Sequence, residues 1–503
     1  MNWRWLVVAG LAAASFAGGG TLARVTRRPP ERDESVAAKQ FRAALETIED
    51  NHVAGTDADE LYSRATQGLL ASLDDPYAEL LADDAYRRYN LRMSGARLGL
   101  RLQLRVPQGS SSIGGGSLRT LGAEAGLDPR DEILEINGVS TDGWTPADAA
   151  RALDGSAGTV VTLLIRRHGT RQTELRHVAR TEIHVSAVSA GVMLPGATGY
   201  LSLHASTESA PRELREAVAS LRARGMRRLV LDLRHNPGGL IPQAVAMADL
   251  FLDPGDTIAR TEGRTAEHTR LYLDRDPQPW PRLPIAILVN RNTASAAELL
   301  AGALQDHDRA RVVGTSTYGK GVIQTTFPLG EEVAVKFTTA RWFTPSGRSI
   351  QRSDSLQRAG QVFRSRRGLP LPSGEGIVPD IRVQPARPPA EVVVDRAFGE
   401  ELPIYESVLT TYVAELVARG GVGVRSAITT PAMQEELWRR LTAADIETPR
   451  RIYDRVAPYV RETLSDAMVR QVWGEEPALR RRLTADRQVQ AALTVLGVSR
   501  FTR

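Results

Sequence analysis

The sequence predicts a mixed α/β chain of several domains, and three observations carry that expectation. Near the start, apolar residues recur at helical spacing: Phe41, Leu45 and Ile48, then Leu61, Ala65, Leu69, Leu70 and Leu73. In the middle, short runs of Leu, Ile and Val lead through turns into helical segments, as at 229–233 and 285–289, which is the texture of α/β layering. From about 397 to 496 the pattern is helical again, with Trp438, Tyr453, Val456, Tyr459, Val460 and Leu464 as expected core. A chain of 503 residues is too long for one simple core, so two to four domains are expected.

Arg4 precedes an apolar run over 5–17, followed by Gly18-Gly19-Gly20 and an Arg-rich stretch over 24–32. A basic start with a short apolar stretch fits an export signal, and Ser15-Phe16-Ala17 offers the small residues that a signal peptidase reads. With 18–22 included, the stretch approaches the roughly 17–20 residues that span a bilayer, so residues 1–30 are expected to be a signal peptide or a single-pass membrane anchor. Either reading exports the chain, to a periplasm or the outer face of an inner membrane. The absence of cysteine suits an oxidising compartment and excludes disulfides, thiolate metal sites and a cysteine nucleophile. The formal charge of +5 is spread along the chain without a Lys/Arg block interleaved with aromatics, which argues against nucleic acid as a partner.

Residues 36–95 form the expected N-terminal helical region, interrupted at Asp75-Pro76 and closed by Met93-Ser94-Gly95. From Leu98 the texture changes. The stretch 98–104 alternates like a strand, 109–117 is a Gly/Ser-rich loop, and 123–138 reads as short helix, turn, strand and hairpin glycine. A helix over 145–153 and a strand over 159–166 follow. In its Leu98-Gly99-Leu100 loop, Ala125-Gly126-Leu127, Asp131 and Ile136-Asn137-Gly138 turn, the segment 96–170 resembles a PDZ domain. The resemblance implies that a chain end adds as a strand beside Leu98, Gly99 and Leu100, with backbone N–H groups on its carboxylate. Arg130 departs from the glycine usual in bacterial PDZ domains, and the stretch after Leu104 is short.

Residues 171–385 read as an α/β core. Expected elements are strands over 199–203, 228–234 and 285–289, and helices over 213–224, 243–252 and up to Leu304. Groups that do chemistry in such folds sit where strands end and helices begin. Two such places stand out: Asn292-Thr293-Ala294-Ser295-Ala296-Ala297-Glu298 and, later, Gly319-Lys320-Gly321. A serine hydroxyl needs a base, and lysine serves only if desolvation brings its pKa down from about 10.4. Val312, Val313, Tyr318 and Val322 are expected to supply dry surroundings, and Gln324 to orient the amine. Ser295 at a helix start places the Ala296 N–H at a developing oxyanion, with Gly238 or Gly239 as second donor. His235 and His307 offer a competing Ser-His-Asp arrangement. No His/Glu spacing suits a metal, and no phosphate-binding loop is present, so neither metal nor cofactor is expected.

The series continues as Asp232-Leu233-Arg234-His235-Asn236-Pro237-Gly238-Gly239, then 314–324, then Thr344-Pro345-Ser346-Gly347-Arg348-Ser349-Ile350, then Gly376-Ile377-Val378-Pro379-Asp380. With Leu73-Asp74-Asp75-Pro76-Tyr77, it resembles the carboxyl-terminal processing peptidases, or tail-specific proteases, over about 41–383. The resemblance implies an exported serine endopeptidase with Ser295 as nucleophile, Lys320 as general base, Gln324 as its orienting partner, and protein tails as substrate. Asn292 stands where the family usually has Gly. A weak or inactive tail-binding scaffold is the alternative, and an esterase with the same dyad is a third reading. Past the linker at 385–389, residues 390–503 are expected to form a helical domain for structure or partner contact. Helices at both ends make a homo-oligomer conceivable.

Overall fold

The computed structural model describes residues 35–55, 57–99, 104–105, 118–120, 132–141, 144, 152–153, 155, 158–167, 170, 172–352, 362–385, 390–419 and 428–498. The expected signal or anchor lies outside them. Among the described residues no helix is long and apolar enough to cross a membrane. Two compact units divide at Asp75 and Pro76.

The first unit holds helices α1 (Val36–Asn51) and α2 (Ala58–Ala71). Ser35 caps α1 by accepting from the Ala38 N–H at 3.1 Å. Of the periodic apolar residues predicted here, Leu45 and Leu70 are buried, while Phe41, Ile48, Leu69 and Leu73 stay exposed.

The second unit begins with strand β1 (Glu79–Ala82) and helix α3 (Asp83–Ser94). The sequence predicted helix throughout 36–95; β1 overrides it because residues 79–82 pair antiparallel with 333–336, a long-range contact that local periodicity does not report. Gly95 ends α3 in the left-handed conformation (φ 82°). Strand β2 (Ala96–Gly99) follows, then the small sheet of β3 (Leu104–Arg105), β4 (Leu118–Thr120), β5 (Glu132–Ile136), β6 (Val139–Ser140), β7 (Val160–Arg166) and β8 (Thr173–Ala179). Ile133, Ile136, Val161, Leu163 and Ile165 form its core, on the inward face of alternating strands. Strand β9 (Thr181–His184) pairs back onto β2. Most of the predicted helix 145–153 and all of the stretch 123–131 lie outside the described residues.

The central sheet runs β10-β11-β12-β15-β16-β21. Its members are β10 (Val192–Leu194), β11 (Thr198–Ser202), β12 (Arg228–Asp232), β15 (Ile285–Val289), β16 (Arg311–Gly314) and β21 (Ile381–Arg382). From β11 onward all pairs are parallel. Helices α4 (Ala210–Ala223), α5 (Ile241–Asp249) and α6 (Ala296–Asp306) pack with one face of this sheet in the largest core cluster. Every residue of α6 is buried, as befits a helix apolar on nearly all sides. Beside it lies an antiparallel sheet of β13 (Thr257–Gly263), β14 (Arg270–Leu273), β17 (Val322–Pro328) and β18 (Val333–Phe343), with β1 at its edge. A short ladder, β19 (Phe363–Arg364) with β20 (Pro370–Leu371), precedes β21.

The C-terminal part is helical, as predicted: α7 (Ala390–Phe398), α8 (Leu402–Ala418), α9 (Pro431–Ala443), α10 (Arg450–Trp473), α11 (Glu475–Ala485) and α12 (Arg487–Val495). Helices α7 to α10 share one core, in which Tyr453, Val456, Val460 and Leu464 are buried and Trp438 and Tyr459 are partly so. Ala478 of α11 joins that core, and the rest of the last two described helices turns to the central sheet. Leu483, Val489, Ala492, Leu493 and Leu496 pack with Tyr200, Val230, Ala286, Leu288 and Val313, and so cover the second face of the central sheet. Each such leucine removed from water contributes roughly 1.5–3 kcal/mol.

Candidate active site

Parallel strands β12 and β15 end side by side, and the turns that follow them meet. The turn after β12 is His235-Asn236-Pro237-Gly238-Gly239, and that after β15 leads to Ser295 at the N-terminus of α6. The Ala294 N–H donates to the Asn236 carbonyl at 2.9 Å, joining the two. Gly238 adopts φ 95° and Gly239 φ 145°. A β-carbon at Gly238 would lie 2.9 Å from the Ala296 nitrogen and 3.0 Å from Ser295 Cβ, so only glycine allows this approach to the serine turn.

Ser295 itself has φ 56°, a left-handed value that a non-glycine residue holds only when its surroundings impose it. Glu298, one helical turn on, imposes it. Its Oε2 accepts the Ser295 N–H at 2.8 Å and the Lys320 N–H at 2.9 Å. Its Oε1 accepts the Thr317 hydroxyl at 2.5 Å and the Gly319 N–H at 2.7 Å. One buried carboxylate thus gathers both loops that the sequence singles out, and the Tyr318 N–H adds a bond to the Thr293 carbonyl at 2.9 Å. Burial pushes the Glu298 carboxyl above its ordinary pKa, while the four donors pull the other way. Sequence reasoning gave Glu298 no role. Its signal was the spacing: a Glu three residues after a Ser at a helix start is a capping pattern.

Helix α6 directs its N-terminus at the serine. Among the described residues no acceptor takes the Ala296 N–H, as the first helical position leads one to expect. Of the two glycines, Gly238 gives its N–H to Asn236 Oδ1 at 2.8 Å. Gly239 is exposed, and among the described residues no acceptor takes its N–H.

The Lys320 ammonium lies 4.3 Å from the centre of the Tyr77 ring. Of the residues expected around this lysine, Val312 and Val313 are buried within the core of the central sheet and Tyr318 is 51% exposed; the ring at the ammonium is that of Tyr77, for which the sequence suggested no such role. The difference arises because Tyr77 leads into β1, whose place beside β18 is long-range. Gln324 sits on β17 and donates to Thr338 Oγ1 at 3.1 Å. The Lys320 carbonyl accepts the Trp342 indole N–H at 3.1 Å, which holds the loop against β18.

The histidines do not form a relay to the serine. His307 stands at the opposite end of α6 from Ser295 and donates to the Thr257 carbonyl at 2.7 Å. His235 is near, but both ring nitrogens are engaged, Nε2 with Asn290 Nδ2 at 2.9 Å and Nδ1 with the Asn292 amide at 3.0 Å. Asn290 Oδ1 accepts the His235 and Asn292 N–H groups, so its Nδ2 must donate to Nε2. Asn292 braces the turn with its side chain.

Arg234, just before the glycine turn, joins Asp232 at 2.6 Å and Asp486 at 2.7 Å. Burial works against its charge, but Asp232 and then Asp486 outweigh that and raise its pKa. Of the PDZ residues, Leu98 and Gly99 lie on β2 opposite Glu182 and Thr181, and Leu100 lies outside the described residues.

Residues 197–357 match the model of peptidase family S41, and residues 114–167 match a PDZ domain. A "Probable CtpA-like serine protease" of Staphylococcus saprophyticus is 32% identical over 321 residues, 64% of this chain and 64% of that protein. Its counterpart in Staphylococcus epidermidis is 29% identical over 320 residues, 63% of this chain and 64% of the other. The chain thus matches a little under two thirds of the length of these relatives. Among solved structures, the photosystem II D1 C-terminal processing protease is similar at 26% identity and a TM-score of 0.39, covering 69% of this chain and 87% of that one. The segment 197–357 is thus similar to peptidase family S41, with a segment similar to a PDZ domain ahead of it.

Proposed function

We propose that this protein is an exported, ATP-independent serine endopeptidase that takes protein tails on its PDZ domain and cleaves them with Ser295 and Lys320. The observation that carries the reading is the shared Glu298 carboxylate, which holds the backbones of Ser295 and Lys320 on one oxygen at the N-terminus of α6. In this reading the ring-bound lysine is the charged form that precedes substrate, since a cation over an aromatic face is stabilised as a cation. Substrate entry displaces water, and the lysine sheds its proton. Neutral Lys320 takes the Ser295 proton as Oγ attacks the peptide carbonyl. The Ala296 N–H, with the Gly239 N–H as second donor, stabilises the oxyanion. Lys320 returns the proton to the leaving amine, then activates the water that releases the acyl group. The apolar start of the chain supports export, and the PDZ match supports tail capture.

The test is mass-spectrometric tracking of Ser295 after a serine-directed acylating probe, with cleavage of an unfolded protein bearing a nonpolar tail. Ser295→Ala and Lys320→Ala are each expected to abolish cleavage, and Ser295→Ala to abolish labelling. Cleavage surviving in Ser295→Ala would refute the assignment. Tail binding with no labelling of the wild-type chain would favour the scaffold instead.

A further inference from the structure

We propose that Arg234 is a positioning residue for the oxyanion turn and that helix α12 holds it in place, so that α12 is part of the catalytic apparatus. The proposal rests on the serine-peptidase reading above. Arg234 immediately precedes the turn His235–Gly239, and its own backbone N–H is bound by Asp232 Oδ1 at 2.9 Å. Its guanidinium grips the same carboxylate, with Nε 3.0 Å from both oxygens and Nη2 2.6 Å from Oδ2. The Tyr200 hydroxyl completes the Asp232 shell at 2.7 Å.

The other side of the guanidinium is held from more than two hundred residues away. Nη1 donates to Asp486 Oδ2 at 2.7 Å and to Gln488 Oε1 at 2.9 Å. Asp486 is the N-cap of α12: its second oxygen accepts the Gln488 N–H at 2.8 Å and the Val489 N–H at 3.3 Å. Gln488 is buried and donates to the Val383 carbonyl at 2.8 Å. Both partners are therefore themselves fixed, and α12 is fixed by its apolar face on the central sheet.

The turn that Arg234 anchors needs such support. It holds His235 at φ 63°, Gly238 at φ 95° and Gly239 at φ 145°, a run that relaxes unless both ends are constrained. Its far end is constrained by Ser206, whose N–H and carbonyl bond Gly238 and Leu240 at 2.9 and 2.8 Å. Its near end is constrained by Arg234. A shift there moves the Gly239 N–H and, through the bond from Ala294 to Asn236, the serine turn.

Asp486→Asn separates this role from helix capping. An asparagine keeps an oxygen for the Gln488 and Val489 N–H groups, but then turns its amide hydrogens towards the guanidinium. In the full-length chain we expect Asp486→Asn to slow acylation of Ser295 by the probe about tenfold and to lower kcat, with KM for a tail-bearing peptide within about twofold. Asp486→Glu, which restores the charge, is expected to recover most of the rate. Gln488→Met, which removes only the second acceptor, should fall between them. Wild-type rates in folded Asp486→Asn would overturn the proposal. So would a loss that merely follows the melting temperature across the three variants. Failure of the wild-type chain to be labelled at all would instead sink the serine-peptidase reading.

Discussion

Replacing Glu298 by glutamine preserves the shape of the side chain and removes one acceptor oxygen. In the structure its two oxygens accept four hydrogen bonds, from Thr317, Gly319, Ser295 and Lys320, and the side chain is fully buried. Glutamine can serve one pair through its oxygen and must present N–H to the other. If it faces Thr317 and Gly319, the Thr317 hydroxyl, already an acceptor for the Ile377 N–H at 2.7 Å, can turn to accept, and the Gly319 N–H is left bare. If it faces Ser295 and Lys320, two backbone donors are left bare. An unmet buried donor costs about 1–3 kcal/mol, so the cheaper orientation costs about 2 kcal/mol. Because the affected groups position the nucleophile and the lysine loop, much of that cost is expected in the reaction barrier, where about 2 kcal/mol is roughly a thirtyfold loss of kcat/KM. Glu298→Ala strands all four donors and should lose about another tenfold or more. The assay is steady-state cleavage of a tail-bearing peptide beside the rate of Ser295 labelling, with thermal melts to account for unfolding. A glutamine variant within twofold of wild type would refute the idea that this carboxylate sets the site.

Tyr77→Leu removes the ring from the Lys320 ammonium, so the acid limb of the pH–rate profile should move down by about half a pH unit, as expected from a cation–π contact of about 0.5–1 kcal/mol. An unmoved limb would show that the ring has no hold on the charge. Arg348, fully buried and 2.8 Å from Asp306, should cost about 3–5 kcal/mol when replaced by alanine, read from denaturant unfolding of the catalytic region, because it leaves a buried carboxylate without its cation. Burial, with Asp249, Asp256 and Asp253 adding repulsion, pushes the Asp274 carboxyl up to about 7. The folded chain therefore keeps this proton to higher pH than the unfolded chain, and stability falls as pH rises from the ordinary aspartate range through about 7. Asp274→Asn should melt higher than wild type at pH 8, with the difference shrinking towards pH 5; a pH-independent difference would count against a titrating Asp274.

Much of the architecture was legible in the sequence because it is local. Strands β12 and β15 announce themselves as Leu, Ile and Val runs, and α6 begins where Ser295 and Ala296 were expected to mark a helix start. What escaped was set by distant partners. Residues 79–82 read as helix, and became a strand because β18 supplied an edge to pair with. The ring of Tyr77 at the Lys320 ammonium was not foreseen, because it leads into β1, whose pairing with β18 is long-range.

The sequence by itself determined the order of most elements and the residue types at the site, since the turn glycines, the helix-start serine and the lysine between glycines are each recorded in a short local motif. Only the tertiary structure decided that Glu298 gathers the serine and lysine loops, that Gly238 spends its N–H on Asn236 while Gly239 does not, and that α12 reaches Arg234. These are matters of where a donor points and which acceptor lies within 3 Å of it, and such geometry exists only once strands far apart in the chain have been laid side by side.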